Sequence, residues 1–145
     1  MYIMGTQISP SARDGATKDV RLTLPALPEN VAVVRHVLGA FGDALHLPSE
    51  VFDDVRLAVT EACTNVVRHA YEEGRPGPLD LIIHPDEDGL DVVVADRGRG
   101  IGPSPDTSGP GLGLPLIAAL SDSVEIEHEA AGSRVRMSFV WERAA

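Results

Sequence analysis

The chain is poor in cysteine, in aromatic residues and in positive charge. Cys63 is the only cysteine among 145 residues. That excludes an intrachain disulfide and fits a reducing cytoplasm. Cys63 lies inside an apolar helical pattern, where a small buried core residue is expected. One Trp, two Tyr and three Phe leave the core to Val, Leu, Ile and Ala. Twelve Lys and Arg stand against 22 Asp and Glu, a net charge of −10. This balance disfavours non-specific binding to nucleic acid or to an anionic membrane, since both need a basic surface. A basic or mixed-charge protein partner is compatible with it. No apolar run approaches the roughly 20 residues of a membrane span. The opening MYIMGTQISPSARDGATKD lacks the basic and then apolar pattern of a secretion signal. No internal repeat is present, and the length predicts one domain with one core.

Residues 1–17 are polar, with Gly, Ser and Pro, and read as a disordered tail. The domain is expected over residues 18–145. Val20, Leu22 and Leu24 alternate with polar residues up to Pro25, the mark of a strand. Val31, Val34, Val37, Leu38, Phe41 and Leu45 recur at helical spacing over 29–45. Pro48-Ser49-Glu50 opens a second helix, expected to run to about Tyr71. A loop follows at Glu72–Pro78. Leu79–His84 and Leu90–Ala95 form a hairpin around Pro85–Gly89. Residues 97–111 are rich in Gly, Pro and Ser and read as a loop. Leu112–Leu120 reads as a short helix, and Val124–His128 with Arg134–Val140 as a last hairpin. The order is strand, helix, helix, two strands, loop, helix, two strands. It predicts a two-layer α/β sandwich, with helices on one face of a mixed, mostly antiparallel sheet.

Three motifs carry chemistry. Glu61 and Asn65 in EACTNVVRHAY are four residues apart and share one helix face. An amide carbonyl suits magnesium, which takes one or two protein oxygens beside waters and phosphates. A carboxylate one turn away is placed to act as a base on a phosphoryl acceptor. His69 continues the spacing but is expected to serve packing or the helix end. Asp96 ends an apolar strand in DRGRGIG. There a carboxylate accepts a hydrogen bond from an exocyclic amine and so selects adenine over guanine. Gly98, Gly100 and Gly102 allow close backbone approach to a flat base. Gly109, Gly111 and Gly113 surround Leu112 and open the third helix, whose free N–H groups suit phosphate. No Gly-Lys-Ser/Thr follows, which excludes a Walker A loop, and no strand leads into a dinucleotide fingerprint. Each motif alone is common in proteins. Their joint order is specific.

In that order the chain resembles the GHKL superfamily, which includes gyrase and histidine kinases. Within it the chain is similar to the small bacterial anti-sigma factor serine kinases. VTEACTNVVRHAYEE at 59–73 is close to their N box, and the likeness covers about residues 18–141. The resemblance implies the Bergerat, histidine-kinase-like ATPase fold, with ATP and Mg2+ as cofactors. It implies Glu61 as general base and Asn65 as magnesium ligand. Asp96 becomes the adenine-reading residue, with Gly98 and Gly100 in the same box. Gly111 and Gly113 are implied on the phosphate side, and Ser133 near the adenine. The implied activity is transfer of the ATP γ-phosphate to a serine of a STAS-type anti-anti-sigma partner, which controls release of a sigma factor. Homodimers are the family habit. A sensor-kinase fragment fits poorly, because His36 lies on a helix whose apolar spacing assigns it to the sandwich. The lid, Ile101–Pro110, is short, contains Pro103, Pro105 and Pro110, and has no Lys or Arg. Arg97 and Arg99 sit on the base side. An alternative expectation follows: an ATP-binding module that sequesters its partner without phosphorylating it. Arg35, His36 and the acidic tip Asp86-Glu87-Asp88 are candidate partner contacts, against the simpler reading of solvated surface charge.

Overall fold

The structure is a computed structural model and describes residues 7–10, 18–98 and 113–141. Its strands are β1 (Gln7–Pro10), β2 (Lys18–Pro25), β3 (Pro78–Pro85), β4 (Gly89–Asp96), β5 (Ser123–Glu129) and β6 (Gly132–Val140). Its helices are α1 (Pro28–Ala44), α2 (Ser49–Asn65) and α3 (Gly113–Leu120), with a π-helical turn over Val66–Ala70. The strands form one sheet in the order β1-β2-β3-β4-β6-β5. Every pairing among them is antiparallel. The expected sandwich is therefore present, with a wholly antiparallel sheet in place of a mixed one. Hairpins join β3 to β4 and β5 to β6, and short links of this kind permit only antiparallel neighbours.

Period-2 alternation sorts the sheet into two faces. Leu22, Leu24, Leu81, Ile83, Val92, Val94, Val135, Met137 and Phe139 point to one side and are buried there with Val34, Leu38, Val55, Val59 and Ile117 of the helices. All three helices pack on this face. Burying each such side chain is worth about 1.5–3 kcal/mol. The other face is also partly covered. Ile82, Val93 and Ala95 are buried there, side by side with Arg21, Arg134 and Arg136 in the strand register. Long arginine stems can cover apolar surface while their heads stay in water. This explains why β4 reads as an unbroken apolar run.

Two expectations about element limits are corrected. Gln7–Pro10 lies within the expected tail yet pairs with β2 as an edge strand; four residues with little apolar alternation give no strand signal of their own. The second helix is regular only to Asn65, and its last turn is the wider π form. At its other end α1 begins with Pro28 after an extended Leu27, as the residue before a proline prefers.

Candidate functional site

The site lies at one end of the sheet, where the register aligns Leu24 with Leu79, Leu79 with Asp96 and Asp96 with Ser133. Directly paired residues share a face, so Asp96 and Ser133 look toward the helices just where the apolar core stops. Asp96 is 5% exposed and Ser133 is 2% exposed. A buried carboxylate is costly unless hydrogen-bonded, and both oxygens of Asp96 have donors. The Ser133 hydroxyl donates to Oδ2 at 2.7 Å. The Gly98 N–H donates to Oδ1 at 2.9 Å. A carboxylate offers about four lone-pair sites, so the fixed group keeps capacity for a further donor such as an exocyclic amine.

Glu61 and Asn65 stand one turn apart on α2, both partly exposed. A Cβ built on Gly113 would lie 2.8 Å from the Asn65 Nδ2 and 3.0 Å from its Oδ1. The start of α3 therefore lies directly against the amide. This joins the expected magnesium residue to the expected phosphate-side glycine. The buried Ile117, one turn further into α3, ties that helix to the core. His69 falls in the π-helical turn and is exposed. The wider turn takes it off the line of Glu61 and Asn65.

The end of the π-helical turn meets the turn after Asp96. A Cβ on Gly98 would sit 2.0 Å from the Ala70 carbonyl oxygen, which reserves this position for glycine. The Arg97 N–H donates to the Tyr71 hydroxyl at 2.8 Å. The Arg97 guanidinium approaches Asp80 at 3.9 Å. Asp80 alternates with Leu79 and Leu81 and so faces the other side of the sheet; it also accepts from the Thr23 hydroxyl at 2.6 Å. The Arg97 guanidinium is thus turned away from the helices, toward the opposite face of the sheet. Gly100, Gly109, Gly111, Leu112 and the lid segment 101–110 lie outside the described residues.

Asn65 offers one amide oxygen beside Gly113. A donor set of that kind fits an ion held by one protein oxygen together with phosphates and water. Sequence reasoning missed Tyr71, although EACTNVVRHAY ends on it. Its hydroxyl accepts from Arg97 and donates to the Pro78 carbonyl, and a helix-terminal tyrosine gives no local sign of such bonds. A separate cleft of about 350 Å3 lies against Tyr71 and is lined by Leu27, Pro28, Val67, Glu72 and Pro76; it includes neither Asp96 nor Asn65. The surface candidates have partners within the chain. Arg35 Nε donates to the Thr60 hydroxyl at 3.5 Å, and His36 Nδ1 lies 2.8 Å from the Ala32 carbonyl. In the acidic tip the Asp86 carboxylate accepts from the Asp88 N–H at 2.9 Å. No helix among the described residues is long and apolar enough to cross a membrane.

Comparison with known proteins bears on family and fold. Residues 24–139 match the family described as histidine kinase-like ATPase domain. The chain is 36% identical over 126 residues to the serine-protein kinase RsbW of Halalkalibacterium halodurans, covering 77% of this chain and 76% of that protein. It is 32% identical over 126 residues to RsbW of Bacillus subtilis, covering 77% and 79%. Among solved structures, the RsbU and RsbW domains of a Mycobacterium tuberculosis protein superpose with a TM-score of 0.68 at 21% identity, over 88% of this chain and 33% of that longer one. The histidine kinase domain of a blue-light activated kinase from Erythrobacter litoralis gives 0.57 at 20% identity, over 81% and 61%. At these identities the two structures bear on the fold alone, and it is the same fold. The chain belongs to the histidine kinase-like ATPase family and, within it, to the serine-protein kinases related to RsbW, the anti-sigma factor kinases.

Proposed function

We propose that this chain is an anti-sigma factor and ATP-dependent protein serine kinase that phosphorylates a STAS-type anti-anti-sigma partner and so controls release of a sigma factor. The observation that carries the reading is Asp96, a buried carboxylate held between Ser133 and Gly98 at the sheet end that the glutamate- and asparagine-bearing helix overhangs. Asp96 accepts from the adenine amine. Asn65 would hold Mg2+, and the N–H groups at the start of α3 would serve the ATP phosphates. When bound, Mg2+ neutralises charge that develops on the transferred phosphoryl group. Glu61 orients the serine hydroxyl of the partner and takes its proton as the oxygen attacks the γ-phosphorus, and the bond from that phosphorus to the β–γ bridging oxygen breaks to release ADP. Gly98, Gly100, Gly109, Gly111, Leu112 and Gly113 line the nucleotide. The kinase is one ATPase domain over residues 18–145, works in the cytoplasm and pairs as a homodimer.

A second reading is favoured by one observation. The Arg97 guanidinium is directed to Asp80, and the segment 101–110 carries no Lys or Arg. A protein lacking a cation near the γ-phosphate would bind ATP and hold its partner without transferring phosphate.

Calorimetry with Mg·ATP followed by labelled-phosphate transfer to a STAS partner tests both readings. Binding at micromolar affinity is expected, lost in Asp96→Asn and in Asn65→Ala. Phosphate transfer is expected to fall at least about 100-fold in Glu61→Ala with ATP binding kept, the usual scale for loss of a general base. Transfer that survives Glu61→Ala undiminished would remove the assigned base. Binding without any transfer by the unaltered chain would establish the sequestering module instead.

A further inference from the structure

Tyr71 closes the second helix in space as well as in sequence. It is the first extended residue after the π-helical turn. Its hydroxyl donates to the Pro78 carbonyl at the start of β3 and accepts from the Arg97 N–H at the end of β4. Its ring packs against Gly77, where an added Cβ would meet Cε1 at 2.3 Å. One residue earlier, the Ala70 carbonyl abuts Gly98, whose N–H holds Asp96. The end of the helix and the turn after β4 therefore touch at two adjacent residues, Arg97 and Gly98, directly after Asp96. Burial raises the Tyr71 hydroxyl above its ordinary pKa, and the Asp96 and Asp80 carboxylates add to the effect. The hydroxyl stays protonated at neutral pH and keeps both its donor and its acceptor role.

We infer that Tyr71 is a positioning residue for the nucleotide: its hydroxyl locks the helix that carries Glu61 and Asn65 to the turn that carries Asp96, and thereby fixes the distance between the phosphate end and the base end of the site. The inference rests on the reading of this site as an ATP site. Two groups on separate elements bind one ligand best when their separation is already set, since otherwise binding must supply the ordering of the protein as well as of the ligand. A loose Asp96 turn also discriminates poorly between the amine of adenine and the carbonyl of guanine, because selectivity of this kind depends on a donor and acceptor that cannot relax.

The test compares the unaltered chain with Tyr71→Phe, which keeps the ring on Gly77 and removes only the hydroxyl. Arg136→Gln, on the other face of the sheet, serves as a control for simple loss of stability. Amide exchange is followed in the ligand-free proteins, and Mg·ATP and Mg·GTP binding is followed by calorimetry. In Tyr71→Phe the Arg97 amide is expected to exchange at least about tenfold faster, ATP binding to weaken about tenfold, and the preference for ATP over GTP to shrink, on the scale of one lost hydrogen bond. Arg136→Gln is expected to leave affinity and preference unchanged. Arg97 exchange that does not respond to Tyr71→Phe overturns the lock. Faster exchange with unchanged ATP affinity and preference overturns its role toward the nucleotide. An unaltered chain that binds no Mg·ATP overturns the site reading, and the positioning role with it. That failure is recognised by absent wild-type binding, whereas failure of the Tyr71 inference alone leaves wild-type binding intact.

Discussion

Asp91 shows how single residues respond to their surroundings on the sheet face away from the helices. Partial burial works to raise its pKa, but hydrogen bonds from Arg136 and Ser138 and the nearby positive charge outweigh it and hold the carboxyl below its ordinary value. Arg136 Nη2 donates to Asp91 Oδ2 at 2.6 Å, with half of the arginine side chain in water. The depressed value means that the pair's contribution to stability is complete above the unfolded-state pKa of about 3.9 and is lost as the pH falls through the folded one. Partly exposed pairs of this kind are worth up to about 1 kcal/mol. Arg136→Gln is expected to cost roughly 0.5 kcal/mol at pH 7 and progressively less as the pH is lowered below about 3.9, read from urea midpoints along that series. Cys63 answers to burial alone, which pushes its thiol up to about 12. Its sequence reading as an inert core residue agrees with a fully buried position.

At the scale of elements, the end of α1 carries conformational strain. The Leu47 N–H bonds to the Gly42 carbonyl and the His46 N–H to the Asp43 carbonyl, the two bonds of a Schellman ending. The left-handed position of that motif is held by His46 at φ 53°, where glycine is the unstrained choice. His46→Gly is expected to raise stability by roughly 0.5 kcal/mol, the relieved backbone strain outweighing the added freedom of the unfolded chain. A lowered urea midpoint would contradict it. Elements were largely legible from sequence because their signals are local. Val31, Val34, Leu38 and Phe41 mark α1, and the alternation of Val135, Met137 and Phe139 marks β6. The π-helical turn was not legible. Nothing in VVRHA differs in composition from regular helix, and the wider turn accompanies contacts that Ala70 and Tyr71 make with residues 98 and 97, far along the chain. The edge strand at Gln7–Pro10 was missed for a related reason: its pairing with β2 is supplied by the partner.

For the whole molecule, the nucleotide is expected to act as a further bond between layers, because Asn65 and the start of α3 belong to the helical layer and Asp96 and Ser133 to the sheet. A ligand that binds only the folded chain, at 100 times its Kd, adds about 2.7 kcal/mol. For a domain of this size that corresponds to a Tm rise of about 8 °C. Mg·ATP is expected to produce this rise in the unaltered chain and not in Asp96→Asn, as followed by thermal unfolding. An equal rise in the variant would remove Asp96 from the binding site.

Sequence by itself determined the order of elements from β2 to β6, the aliphatic core and the adjacency of Glu61 and Asn65, because each rests on neighbours within a few residues and on a fixed helical or strand period. It also marked Asp96 and Ser133 as separate candidates. The tertiary structure decided that the two form one hydrogen-bonded pair across 37 residues. It decided that Gly113 closes on Asn65, and that Tyr71 reaches Arg97 across 26 residues. These contacts depend on the register of β4 against β6 and on the seat of α2 over the sheet end. A one-residue slip of a strand turns every side chain to the opposite face, so the site exists only where burial of the whole apolar face has set that register.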